Sequence, residues 1–232
     1  MVLRDTKRYA AAEAACREAI RLDPDLAAAH VNLGAVQSQT KRYAEAETAY
    51  REAIRLDPDL AAAYVNLGAI LLKTKRYDEA ETAFREAIRV DPDLAGAHNI
   101  LGSILRLTKR YAEAETAYRE VIRLDPDLAT AHVNMGAVLC ATQRYGEAEA
   151  EFREAIRLDP ALAPAHNNLG VVLRYAGRRA EAKAAFAEAV RLEPTRVDLE
   201  TYLRVRRSSW LKSLRDKHPK RLAAGTLLIG PA

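Results

Sequence analysis

The stretch KRYAEAETAYREAIRLDPDLAAA, Lys41–Ala63, returns almost unchanged as KRYDEAETAFREAIRVDPDLAGA at Lys75–Ala97. Working outward from these two copies, prolines fall at 24, 58, 92, 126, 160 and 194, and glycines at 34, 68, 102, 136 and 170, each series in steps of 34. Alanines at 46, 80, 114, 148 and 182 and aromatics at 50, 84, 118, 152 and 186 keep the same register. A period this regular is an architectural instruction and must be read before any local motif.

Inside one period, His30, Leu33, Gly34 and Gln37 share the i, i+3, i+4, i+7 spacing of a helical face, and Ala46, Tyr50, Ala53 and Ile54 share another. Each unit is therefore two helices joined by a short turn, TKRY at 40–43. Pro58 ends the second helix near Asp57, because it restricts its predecessor and lacks an N–H. Asp59 is then expected to accept hydrogen bonds from the N–H groups that open the next helix. Gly34, Ala46 and Ala53 are small where two helices approach closely, with Leu33, Tyr43 and Tyr50 filling the space around them. A single pair of helices cannot bury its apolar face, so neighbouring pairs must stack, each stabilised mainly by the next.

These residues, Leu33-Gly34, Tyr43, Ala46, Tyr50, Ala53 and Asp57-Pro58 at a spacing of 34, closely resemble the tetratricopeptide repeat family. The resemblance implies an all-α fold, a right-handed α-solenoid superhelix of stacked antiparallel helix pairs. It covers five full repeats, 27–60, 61–94, 95–128, 129–162 and 163–196, preceded at 1–26 by an incomplete one that lacks the start of its first helix. That incompleteness suggests a chain cut from a longer one and an exposed apolar face at residues 9–22. Two departures from the family pattern stand out: Lys41, Lys75, Lys109 and Gln143 replace a frequent turn glycine that returns only as Gly177, and Arg179 replaces the aromatic of Tyr43. Leu199, Leu203, Trp210 and Leu214 point to a capping helix over 197–217, followed by a disordered tail over 218–232.

In this family the first helix of each pair lines the inner, concave side. Asn32, Asn66, Asn134 and Asn168 recur there, with Asn99 beside Ile100 in the third repeat and Asn167 beside Asn168 in the fifth. An amide supplies both donors and an acceptor, so a ladder of asparagines can bond the backbone of an extended peptide whatever its side chains. Lys73, Arg106 and Arg174 add positive charge that favours acidic ligands. The segments AHVNLGAV (29–36) and AHNNLGVV (165–172) are similar to those that present substrates to O-linked N-acetylglucosamine transferases. The lysine and asparagine clamp with which some relatives grip chaperone carboxylates is missing, since Val31, Val65 and Val133 with Ala35, Ala69 and Ala137 stand at those places.

Other patterns carry no chemistry. His30, His98, His132 and His166 recur, but a metal needs ligand nitrogens about 2 Å from one ion, whereas packed helices are about 8–10 Å apart, so these are assigned to the core of each repeat. No Ser/His/Asp or Cys/His arrangement and no Gly-rich phosphate loop is visible, and no metal or other cofactor is expected. Glu45, Glu47 and Glu52 alternate with Arg51 and Arg55, which suggests outward faces paired at i, i+4.

The net charge of +4 divides unevenly: residues 197–232 hold eight basic against three acidic groups, leaving 28 against 29 in the first 196. The basic stretch at 204–221 has one aromatic and no folded readout motif, so neither nucleic acid nor a membrane is an expected partner. Cys16 and Cys140 form no CxxC or Cys/His cluster, which suits a reducing compartment. No apolar leader is visible and LAAGTLLIG (222–230) is far short of the ~20 residues of a membrane helix, so a cytoplasmic protein is expected. Three functions are compatible with this: a non-catalytic scaffold holding a peptide or partner protein, the substrate-recognition segment of a larger glycosyltransferase, and a module that self-assembles through its incomplete first repeat.

Overall fold

The structure, a computed structural model, describes residues 2–193. The expected capping helix at 197–217 and tail at 218–232 lie outside the described residues, as do the last three residues of the fifth repeat. Among the described residues there are eleven α-helices and no strand, as the all-α class requires.

The chain divides into two compact units, Met1–Lys109 and Arg110–Ala232. The first holds α1 (Val2–Leu22), the pair α2 (Ala27–Gln39) and α3 (Tyr43–Leu56), the pair α4 (Ala61–Lys73) and α5 (Tyr77–Val90), and α6 (Ala95–Leu107). Each pair packs along its length, while α1 on α2, α3 on α4, α5 on α6 and α2 on α4 link successive pairs. The second unit holds α7 (Tyr111–Leu124), the pair α8 (Ala129–Ala141) and α9 (Tyr145–Leu158), and the pair α10 (Ala163–Tyr175) and α11 (Arg179–Leu192). Here α7 packs on α8, α9 on α10 and α8 on α10.

The small residues act as the spacing suggests, with one addition. A Cβ built on Gly34 would lie 2.7 Å from Tyr50 Cε1, one on Gly68 2.7 Å from Phe84 Cε2, and one on Gly136 2.5 Å from Phe152 Cε1. The glycine of the first helix is thus the seat for the aromatic ring of the second. Ala46 and Ala53 are fully buried beside Tyr50, and each such aromatic is worth roughly 1.5–3 kcal/mol of burial.

The turn within each pair depends on one residue in the left-handed region: Lys41, Lys75, Lys109 and Gln143 at φ 61–62°, and Gly177 at φ 76°. Just before it a threonine closes the first helix in the first four of these pairs, Thr74 Oγ1 donating to the Ile70 and Leu71 carbonyls at 3.1 Å, and Ala176 stands there in the fifth. The same four letters at 6–9 make no turn, because α1 runs unbroken from Val2 to Leu22. A left-handed lysine costs about 1–2 kcal/mol, and α1 avoids that cost by continuing as a right-handed helix through Lys7.

The turn between pairs corrects one expectation. Asp59 does not cap α4, whose N-cap position is Leu60 with no side-chain bond. Instead Asp57, extended at the end of α3, accepts the Asp59 N–H at 3.0 Å across Pro58. Asp159 does the same for the N–H of Ala161, where no second aspartate exists. The first aspartate of DPD therefore makes the turn, as a side chain mimicking a backbone acceptor.

The carboxylates also depart from expectation. Glu47 does pair with Arg51 at i+4, 2.9 Å, but it is only 18% exposed and takes Arg76 of the following repeat at 2.6 Å. Arg42 with Glu13 (2.5 Å), Arg144 with Glu115 (2.7 Å) and Arg178 with Glu149 (2.5 Å) repeat that bond 29 residues apart. Charge as well as apolar surface therefore joins neighbouring repeats.

Candidate functional site

Asn32, Asn66, Asn134 and Asn168 sit in equivalent places on the first helices and Asn99 and Asn167 one residue before that place, three of the six in each unit. In the first unit Asn32 on α2 is exposed and Asn66 on α4 is half-buried, and neither amide is hydrogen-bonded within the described residues. Since α2 packs against α4, the two amides occupy neighbouring rungs. Asn99 on α6 is half-buried, and its carbonyl accepts the Ser103 hydroxyl at 3.0 Å. In the second unit Asn134 lies on α8, and Asn167 on α10 reaches Asn168 Oδ1 at 3.5 Å while its own Oδ1 is buried without a partner.

The three cations are not equivalent. Lys73 Nζ lies 5.6 Å from the centre of the Tyr43 ring, which draws it toward the turn end of the pair. Arg174 stacks on the rings of Tyr175 and Phe186, 5.9 and 6.0 Å away, so its charge is held by cation–π contact. Arg106 is half-buried and its Nε has no partner. Tyr175 in turn stacks on Tyr145 with ring centres 5.3 Å apart. Both Lys73 and Tyr175 thus face a tyrosine 30 residues earlier, a relation that the period contains but that no single-repeat reading exposes.

The recurring histidines do something other than fill the core. His30, His98 and His166 are half-buried, and Nε2 of each donates to the proline carbonyl six residues earlier, at 3.2, 2.9 and 3.0 Å. They latch the turn between pairs onto the helix that follows it. His132 is the buried one, with Nε2 at 3.3 Å from the Pro126 carbonyl and Nδ1 at 2.7 Å from Glu151. Among the described residues no group of three or more His, Cys, Asp or Glu is placed to hold a metal. Both cysteines are free thiols, and burial pushes each above its ordinary pKa, with Glu13 adding to the effect at Cys16. Raised thiols are poor nucleophiles.

A groove of about 710 Å³ runs between α2 and α3, lined among others by His30, Leu33, Gln37 and Ala49. Gln37 stands where Leu71, Leu105, Leu139 and Leu173 stand in the other repeats. It is 4% exposed and its Oε1 has no partner.

No helix among the described residues is long and apolar enough to cross a membrane. Two family models, each described as tetratricopeptide repeat, match the chain, one at residues 1–61, 37–95 and 65–129 and the other at 127–193. No curated protein matches its sequence. Among solved structures it is similar to YrrB, described as a TPR protein with an unusual peptide-binding site, with 24% identity and a TM-score of 0.72 over 84% of this chain and 98% of that one. It is also similar to MamA, at 22% identity and a TM-score of 0.67 over 70% and 95%, and to MamA from Desulfovibrio magneticus RS-1, at 20% and 0.68 over 74% and 97%. With the 34-residue period, the glycine-seated aromatics and these models spanning residues 1–193, the chain belongs to the tetratricopeptide repeat family.

Proposed function

We propose that the protein is a non-catalytic scaffold that holds an extended segment of a partner protein along its first helices. Asparagine amides bond the partner's backbone, at Asn32, Asn66 and Asn99 in one unit and at Asn134, Asn167 and Asn168 in the other. The observation that carries this reading is the pair Asn32 and Asn66, successive rungs on two helices in contact, with side-chain amides left unbonded by the protein itself. An amide has two donors and an acceptor to satisfy, and a peptide backbone offers the complementary set at every residue. Lys73, Arg106 and Arg174 bias the partner toward acidic side chains, less strongly where the charge is already held by a ring. The peptide-binding site noted for YrrB lends support by analogy of fold alone.

The test is capture of partners from a cell lysate followed by mass spectrometry, with the full chain and with Asn32→Ala/Asn66→Ala. The double variant should retain its helical circular dichroism and lose most of the captured partner. Undiminished capture would remove the asparagine ladder from the account.

A further inference from the structure

Most arginines of the first unit are tied into ion pairs, and the lysines of its turns are not. The unit carries 16 basic and 16 acidic residues. Eight of its arginines, at 17, 21, 42, 51, 55, 76, 85 and 89, are paired with glutamates, whereas Arg8 and Arg106 make no ion pair among the described residues. Lys41, Lys75 and Lys109 are different: each is exposed and makes no ion pair among the described residues. All three lie in the turn between paired helices, one per repeat, and so share one edge of the unit. They do not cap the carbonyls that end the first helices, because Thr40, Thr74 and Thr108 already do.

Each of these lysines also stands at a backbone φ of 61–62°, where a side chain is strained and glycine is not. Gly177 fills that place in the fifth repeat. The edge therefore keeps three unpaired ammonium groups at positions where glycine would make a more stable turn. Lys73 is drawn to the same edge by Tyr43. Between the charges are two large apolar groups open to solvent, Tyr77 at 44% and Leu107 at 65% exposure, which occupy the places that Tyr43 and Lys73 hold one repeat earlier.

We propose that this turn edge, Lys41, Lys75 and Lys109 with Tyr77 and Leu107, is a second docking surface whose occupant is an acidic peptide segment carrying apolar side chains among its carboxylates. Unpaired ammonium groups fit discrete carboxylates, and Tyr77 and Leu107 supply the apolar area without which exposed charge pairs contribute little. A nucleic acid fits less well. Asp78 and Glu79 stand in the first turn of α5 beside the lysines, the unit as a whole is electrically neutral, and a chain charged at every nucleotide draws its affinity from a basic surface.

The experiment is fluorescence anisotropy on the full chain with a labelled peptide alternating Asp or Glu with Leu, set against its Asn/Gln counterpart. The acidic peptide should bind and the amide peptide should not, with affinity falling as salt is raised. Lys75→Gly/Lys109→Gly should weaken the acidic peptide by about an order of magnitude, roughly threefold for each lysine lost, while raising Tm. Lys75→Arg/Lys109→Arg should keep the affinity. Asn32→Ala/Asn66→Ala should leave it untouched, so loss of the inner-face reading would not carry this one with it. Unchanged affinity in the glycine variant, equal binding of the amide peptide, tighter binding of a single-stranded RNA oligonucleotide, or a loss that follows Asn66 would each overturn the proposal. A fall in Tm in the glycine variant would overturn the strain argument on which it leans.

Discussion

Arg76 Nη1 lies 2.6 Å from Glu47 Oε2, joining the turn of one repeat to the second helix of the repeat before it. Burial alone would raise the Glu47 carboxyl, but its bonds to Arg76 and then Arg51 outweigh that and hold it below the usual carboxylate range. A depressed carboxyl stabilises the fold above its unfolded pKa, about 4.3, and that contribution is lost as pH falls through the lower folded value. Because Arg76 is 39% exposed, solvent screening limits the bond to ~1 kcal/mol. Glu47→Gln should lose that much at pH 7 by urea denaturation, and the difference from wild type should shrink below pH 4.3, about the unfolded carboxyl pKa. A double-mutant cycle with Arg76→Gln should show the two changes to be non-additive.

Two glycines on first helices should respond in opposite directions to the same change. Gly34→Ala sets a Cβ 2.7 Å from the Tyr50 ring, and the overpacking should exceed the gain in helix propensity, for a net loss of about 1–2 kcal/mol. Gly96→Ala meets nothing within 4 Å and should gain ~0.5–1 kcal/mol from propensity alone. Thermal unfolding of the two variants decides the matter, and a stabilised Gly34→Ala would contradict the ring-on-glycine packing.

The histidine latch predicts a specific cost at a half-buried position. His98→Ala removes the donor to the Pro92 carbonyl, 2.9 Å away, and should destabilise by ~1 kcal/mol. Hydrogen exchange should rise most at the amides of the Asp91–Leu94 turn, and uniform exchange across the repeat would argue against a latch.

Gln37→Leu should stabilise the chain. The amide oxygen is buried without a partner where four other repeats bury a leucine, so the change removes an unmet acceptor and adds apolar contact, for about 1–2 kcal/mol by chemical denaturation. A loss of stability would mean that Gln37 is satisfied in a way its neighbours do not reveal.

Much of the candidate site was legible because it repeats. Asn32 and Asn66 are marked by period alone, and their register on the first helix follows from helical spacing around Leu33 and Gly34. The partners of these residues were not legible. Nothing within one repeat distinguishes Glu47, whose carboxylate reaches Arg76, from Glu45 or Glu52, and only the i+29 recurrence of Glu with Arg, from Glu13–Arg42 to Glu149–Arg178, could have signalled it. The same holds for Lys73 and Tyr43, 30 residues apart.

The sequence by itself determined the helices, their pairing and the places of the turns, because Pro58, Gly34 and the apolar spacing act over a few residues and recur in every repeat. Tertiary structure alone decided that Glu47 takes Arg76, that Lys73 settles on Tyr43, and that of the recurring histidines only His132 meets a glutamate, Glu151. Those outcomes depend on which neighbour a side chain meets once helices are packed, and one string of letters gives different answers when the packed neighbours differ.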